Sequence, residues 1–152
     1  MNLANMKKLR TRMRSRKNPV EFNMDKWFAH GQKNYSSSPK ELLETVKTHA
    51  CGTVACLAGH AAIMYLEEND VVFPKELDPY GNWIYKLGRH YLGLPEHEAN
   101  SLFYGQWWNH YNKKPLRELP KAEAIRELTR LIEGEEARRT KFKRRVRRSK
   151  EQ

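Results

Sequence analysis

Apolar residues recur at helical spacing through most of this chain, which predicts helices far more often than strands. Leu3, Met6, Leu9 and Met13 mark the first stripe, an amphipathic helix over residues 2–16 with a basic outer face. Asn18-Pro19 closes it, because the residue ahead of a proline is pushed out of the α region. Phe22, Met24, Trp27 and Phe28 form an apolar cluster expected to dock on the body, and Gly31 to Pro39 reads as a loop. Ser38 as cap and Pro39 at the first helical position open a short helix through about Lys47, with Leu42, Leu43 and Val46 inward. The most apolar segment, Thr53 to Leu66, is expected to be the buried central helix, ended by Asn69 and Asp70. Val71, Val72 and Phe73 suggest a brief strand, but Pro74 and Pro79 leave little room for a sheet.

Trp83, Ile84, Leu87, Tyr91 and Leu92 describe another helix, closed by Gly93. Pro95 opens a short one containing Ala99, Leu102 and Phe103. Pro120 begins the last, with Ala124, Ile125, Leu128, Leu131 and Ile132 toward the core and good helix formers continuing past Gly134 to Arg148. The expected fold is mostly α: a compact single helical domain of about five helices with basic N- and C-terminal helical arms. Its divisions are residues 1–17, 18–137 and 138–152.

Charge sharpens that division. Residues 1–17 hold Lys7, Lys8, Arg10, Arg12, Arg14, Arg16 and Lys17 and no acid. Residues 138–150 hold Arg138, Arg139, Lys141, Lys143, Arg144, Arg145, Arg147, Arg148 and Lys150, again with no acid. The stretch between carries 13 Lys and Arg against 17 Asp and Glu, so the net charge of +11 comes from a mildly acidic body with two cationic ends. Such ends neutralise a polyanion, and nucleic acid is the commonest one in a cell. These sixteen side chains are the candidate nucleic-acid-binding set. Phe142 and Val146, one turn apart, add an apolar seam to the second arm. Such a helix can lie along a nucleic-acid groove; an anionic membrane surface or a merely solubilising tail are the other uses of a basic run.

Length suits one domain, and no apolar run approaches the roughly 20 residues that span a bilayer. The first residues lack the apolar stretch of a signal peptide, so they read as a functional arm of a cytoplasmic protein. Two cysteines do not make a disulfide scaffold.

Candidate chemistry concentrates between His49 and His60, where Cys51-Gly52-Thr53 leads to Cys56 and Gly59. With Gly52 as N-cap, Cys51 and Cys56 would touch as a hydrophobic staple, two buried thiols at a packed helix start, with Gly59 admitting a neighbouring helix. His60 would lie one turn beyond Cys56 on the same face. A zinc site of Cys51, Cys56, His60 and His49 is one alternative, although no second C-x-x-C or H-x-x-x-H pair completes a familiar finger. A nucleophilic Cys51 at a helix start, with a base drawn from His90, His97 or His110, is another. A Cys51–Cys56 disulfide is a third, disfavoured in a reducing cytoplasm. The expectation is a structural pair, with no catalytic residue, metal or cofactor.

Phe22-Asn23-Met24-x-x-Trp27, Cys51-Gly52-Thr53-x-Ala55-Cys56-x-x-Gly59-His60-Ala61, Leu92-Gly93-Leu94 and Leu102-Phe103 together resemble a group of small uncharacterised phage and bacterial proteins. The likeness spans residues 20–105 and rests mainly on the C-G-T-x-A-C-x-x-G stretch. It implies a compact helical domain and a phage origin and transfers no catalytic residue. Trp often stands in that group where His60 stands here, and the basic arms are not part of its pattern.

Gln106 to Lys114 interleaves Trp107, Trp108, His110 and Tyr111 with Asn and Lys. Exposed, it could stack unpaired bases; buried, its tryptophans plug the core, which is the reading we favour. Glu67, Glu68 and Asp70 look like a solvated helix end, and no P-loop, G-x-G-x-x-G or H-E-x-x-H occurs. The expected function is that of a non-enzymatic phage-type accessory protein binding RNA or DNA through its arms. The alternatives are a module that binds an acidic protein surface, such as an inhibitor of a host defence or host enzyme, and a small metal- or Cys-dependent enzyme.

Overall fold

A computed structural model of the chain describes residues 1–24, 26, 29–30, 33–34, 38–48, 53–78, 81–105 and 115–150. The fold is mostly α, with six α-helices among the described residues. The first, α1 (Leu3–Arg14), starts at Asn2, whose side-chain oxygen accepts from the Asn5 N–H, and ends at Ser15. Helix α2 (Pro39–Thr48) has the expected start, with the Ser38 hydroxyl accepting from the Glu41 N–H at 3.3 Å. Helix α3 (Leu57–Glu68) buries nine of its twelve residues. Helix α4 (Trp83–Leu92) closes on Gly93 in the left-handed region, at φ 58°. Helix α5 (Glu96–Phe103) follows Pro95, and one 3-10 turn (Leu116–Glu118) leads to α6 (Lys121–Lys150). At 1.5 Å per residue the 30 residues of α6 extend about 45 Å.

Two details depart from the sequence reading. Four very short strands, β1 (Glu21–Phe22), β2 (Ala29–His30), β3 (Lys33–Asn34) and β4 (Thr53–Ala55), form a sheet in the order β1-β4-β2-β3. Strand β4 runs parallel to β1 and antiparallel to β2. The apolar pattern places Thr53 to Ala55 at the start of the central helix; β-branched Thr53 and Val54 instead pair in the sheet, and α3 begins four residues later. The strand suggested at Val71 to Phe73 does not form. Val71 sits at φ 65° and Val72 is exposed, in a turn that leaves the end of α3.

Helix α3 divides the core. Leu57, Ala58, Ala61 and Met64 pack into a cluster with Met6, Leu9, Met13, Leu92, Leu102, Phe103, Leu128 and Ile132. Ala62, Ile63 and Leu66 pack into a second, with Val20, Leu42, Leu43, Val46, Trp83, Ile84 and Leu87. Helix α4 approaches α3 closely at Ala58: a Cβ on Gly88 of α4 would lie 2.8 Å from the Ala58 carbonyl oxygen.

The N-terminal segment is cationic, but it is not a free arm. Met6, Leu9 and Met13 are fully buried, and the Asn2 N–H donates to the Leu92 carbonyl at 2.8 Å. The apolar stripe decides its place and the charges simply occupy its outer side. The second arm is different, because every residue from 137 to 150 is exposed.

The packing yields contrasting expectations. Leu9→Ala should cost about 2–5 kcal/mol, as for a fully buried leucine, whereas ending the chain after Thr140 should leave the melting temperature almost unchanged. Among glycines, Gly88→Ala should destabilise by about 1–3 kcal/mol because backbone meets its new methyl. Gly134→Ala should stabilise by about 0.5–1 kcal/mol, since a Cβ there meets nothing within 4 Å in a helix interior. Urea titrations of the four variants check the three signs and the one unchanged stability.

Candidate nucleic-acid interface

Two contacts show how α1 lies on α6. Arg139 donates to the Met1 carbonyl at 2.6 Å, and Lys7 pairs with Glu136. Rising numbers on α1 thus meet falling numbers on α6, so the two helices run in opposite senses and residues 140–150 continue past the beginning of the chain.

This register sorts the sixteen candidate cations. Lys8 reaches Glu68 at 2.9 Å, and Arg12 grips both oxygens of Glu67 at 2.6 and 3.3 Å. Of the three acids at the end of α3, Glu67 and Glu68 are therefore countercharges of α1. Arg138 and Arg139 converge on Glu135, at 3.4 and 2.8 Å, and Arg138 also lies 3.8 Å from Glu98. The hydrogen bond from Arg139 holds the Glu135 carboxyl below its ordinary range, against the opposing effect of burial and with help from the Arg138 charge. Among the described residues, Arg10, Arg14, Arg16 and Lys17 form no ion pair, and neither do Lys141, Lys143, Arg144, Arg145, Arg148 and Lys150. Pairing of this kind leaves no trace in a hydrophobic pattern, because it depends on which helices meet.

The unpaired cations form two groups. One is Arg10, Arg14, Arg16 and Lys17 toward the C-terminal end of α1, where Lys17 lines an open groove of about 810 Å³ together with the ion-paired Lys7, Lys8, Arg12 and Glu67. The other is the projecting part of α6, about 21 Å of helix from residue 137 to 150. No Gly or Pro interrupts it, and its basic last turn complements the helix dipole. Like charges at i, i+3 and i+4, such as Arg144 with Arg147 and Arg148, oppose it by about 0.2–0.5 kcal/mol a pair. Phe142 is 68% exposed there, beside Val146.

The cysteine–histidine motif takes another form than expected. Cys56 is the N-cap of α3 and not its fourth residue, so no staple geometry exists at that position. Burial pushes its thiol up to about 11, which suppresses thiolate at neutral pH. His60 is one turn on, its N–H donating to the Cys56 carbonyl at 2.9 Å. Its ring is fully buried, and burial with the nearby Arg12 charge, against the opposing effect of the Glu21 backbone, pushes it down to about 3. Cys51 and His49, needed for the zinc, nucleophile and disulfide alternatives, lie outside the described residues, as do Trp107, Trp108 and His110. Among the described residues no three His, Cys, Asp or Glu side chains converge as metal ligands. Two of the proposed bases are elsewhere, His90 beside Glu76 at 3.7 Å and His97 beside Glu98 at 3.9 Å.

No protein-family model, curated protein or solved structure matches the chain significantly. The resemblance over residues 20–105 therefore rests on its motif alone. No helix among the described residues is long and apolar enough to cross a membrane.

Buried neutral His60 sets a pH dependence. The unfolded chain protonates it below about 6.5 and the folded one only near 3, so stability falls as pH drops through that window. Between pH 6.5 and 5 the wild type should lose up to about 1.4 kcal/mol per pH unit relative to His60→Met. Parallel urea midpoints at several pH values would reveal the divergence; parallel curves for the two proteins would refute it.

Proposed function

We propose that this protein is a non-enzymatic accessory protein of phage type that binds nucleic acid electrostatically, in the cytoplasm of its cell or host. The observation carrying this reading is the projecting part of α6, where cations without an ion pair line a helix that leaves the body. Mutual repulsion opposes that helix when it is alone, and phosphates on both sides would convert the repulsion into attraction. The free cations at the end of α1 supply a second, weaker contact, while Lys7, Lys8, Arg12, Arg138 and Arg139 first serve the fold through their acids. The buried thiol of Cys56, held in its protonated form, supports a structural role for that motif.

Binding should depend steeply on salt. With about 6–10 phosphate contacts on a duplex, affinity should fall by roughly 10³–10⁵ between 50 and 200 mM salt, a log–log slope near −0.9 per contact. Ending the chain after Thr140 should reduce both affinity and slope. Reversing Arg144, Arg145 and Arg148 to Glu should do more harm than truncation, since it adds repulsion. Salt titrations by fluorescence anisotropy read all three. The proposal fails if the full chain binds neither DNA nor RNA at the lowest salt. Recovery of one acidic host protein after nuclease treatment would instead establish the interaction-module alternative.

A further inference from the structure

On an α-helix each residue advances about 100°, so the positions of the side chains around projecting α6 follow from its numbering. Phe142, Val146 and Ser149 fall within a strip about 60° wide. To one side of that strip lie Arg145, Lys141 and Arg148; to the other lie Lys150, Lys143 and Arg147. Arg138 and Arg139, held by Glu135, stand on opposite sides of its root. Arg147 and Arg148 lie about 130° from the middle of the strip, and Arg144 stands nearly opposite it. An apolar strip with equal cationic flanks is a shape with a matching partner.

We propose that this helix lies in the major groove of double-stranded DNA, with Phe142 and Val146 on the groove floor and the two cationic flanks on opposite phosphate walls. The inference rests on the nucleic-acid reading above and adds to it the kind of nucleic acid and the direct contact. A helix 10–12 Å across matches a groove about 12 Å wide and 8.5 Å deep. The deep, narrow major groove of A-form RNA does not admit it. A single strand offers one line of phosphates and would leave one flank unpaired; it is also held by several stacking aromatics, and Phe142 is the only aromatic on this part of the helix. A second copy, seam against seam, would bring its own flanks onto these and repel. The apolar feature a major-groove floor presents is the C5-methyl of thymine, the natural contact for a phenylalanine and a valine.

Uracil differs from thymine only by that methyl, which gives a direct test on the full chain. Anisotropy at about 150 mM salt would compare duplex DNA, the same duplex with deoxyuridine for thymidine, the single strand, and duplex RNA of equivalent sequence. Duplex DNA should bind at least about tenfold more tightly than RNA duplex or single strand. Deoxyuridine should weaken wild-type binding by about three- to tenfold and leave a Phe142→Ala/Val146→Ala variant without discrimination. Both side chains are at least partly exposed, so the variant should fold normally, as circular dichroism would verify. Equal or tighter binding to RNA duplex or single strand overturns the inference, as does wild-type indifference to the methyl. Either result leaves nucleic-acid binding standing; failure to bind all four probes removes that reading as well.

Discussion

Burial of α3 on two sides is the constraint from which the rest of the architecture follows. A helix with nine of twelve residues out of water needs neighbours around most of its circumference, and one layer cannot provide them. Helices α1, α5 and α6 therefore complete one cluster while α2 and much of α4 complete the other. The Gly88–Ala58 approach brings α4 close enough to serve both, through Tyr91 and Leu92 on one side and Ile84 and Leu87 on the other. The cost is a polar ring at the centre: His60 is fully buried and held neutral.

Charge is organised around the same packing. Because α1 must bury Met6, Leu9 and Met13, its basic side is fixed beside the end of α3 and the root of α6, where Glu67, Glu68, Glu135 and Glu136 meet it. The exposed pairs contribute little stability individually, at most about 1 kcal/mol each. Their effect is to reduce the positive field on the body and leave it strongest at the end of α1 and along projecting α6. A nearly even distribution of charge between two ends of the sequence thus becomes an uneven one in space.

Helical elements were legible wherever one apolar stripe met one polar face. The Ser38-Pro39 start, the Gly93 stop and the stripes of α1, α4 and α6 all follow from local chemistry that tertiary context does not alter. The short strands were not legible, since two or three residues are too few to show alternation and their pairing joins Glu21 to Val54 across the chain. The start of α3 was misread for the same reason: an apolar run of this kind suits helix or buried strand equally, and β1 and β2 decide it. In the candidate interface, the cations themselves were plain. Which of them were already engaged was not, because a countercharge such as Glu67 is 55 residues from Arg12 and nothing local marks it.

Gly134 gives α6 an uneven stiffness. A glycine inside a helix widens the range of backbone angles open to it, and this one has no contact that requires the missing side chain. It stands one residue before Glu135, the last buried position, with the ties of Glu136 to Lys7 and of Arg139 to the Met1 carbonyl in the turn and a half that follows. The rod thus bends most easily within its own anchorage, where a bend of about 10° moves the tip by roughly 4 Å over a span of about 21 Å. A rigid joint would impose the attitude of the body on whatever the tip holds; this one lets the tip follow a partner that curves.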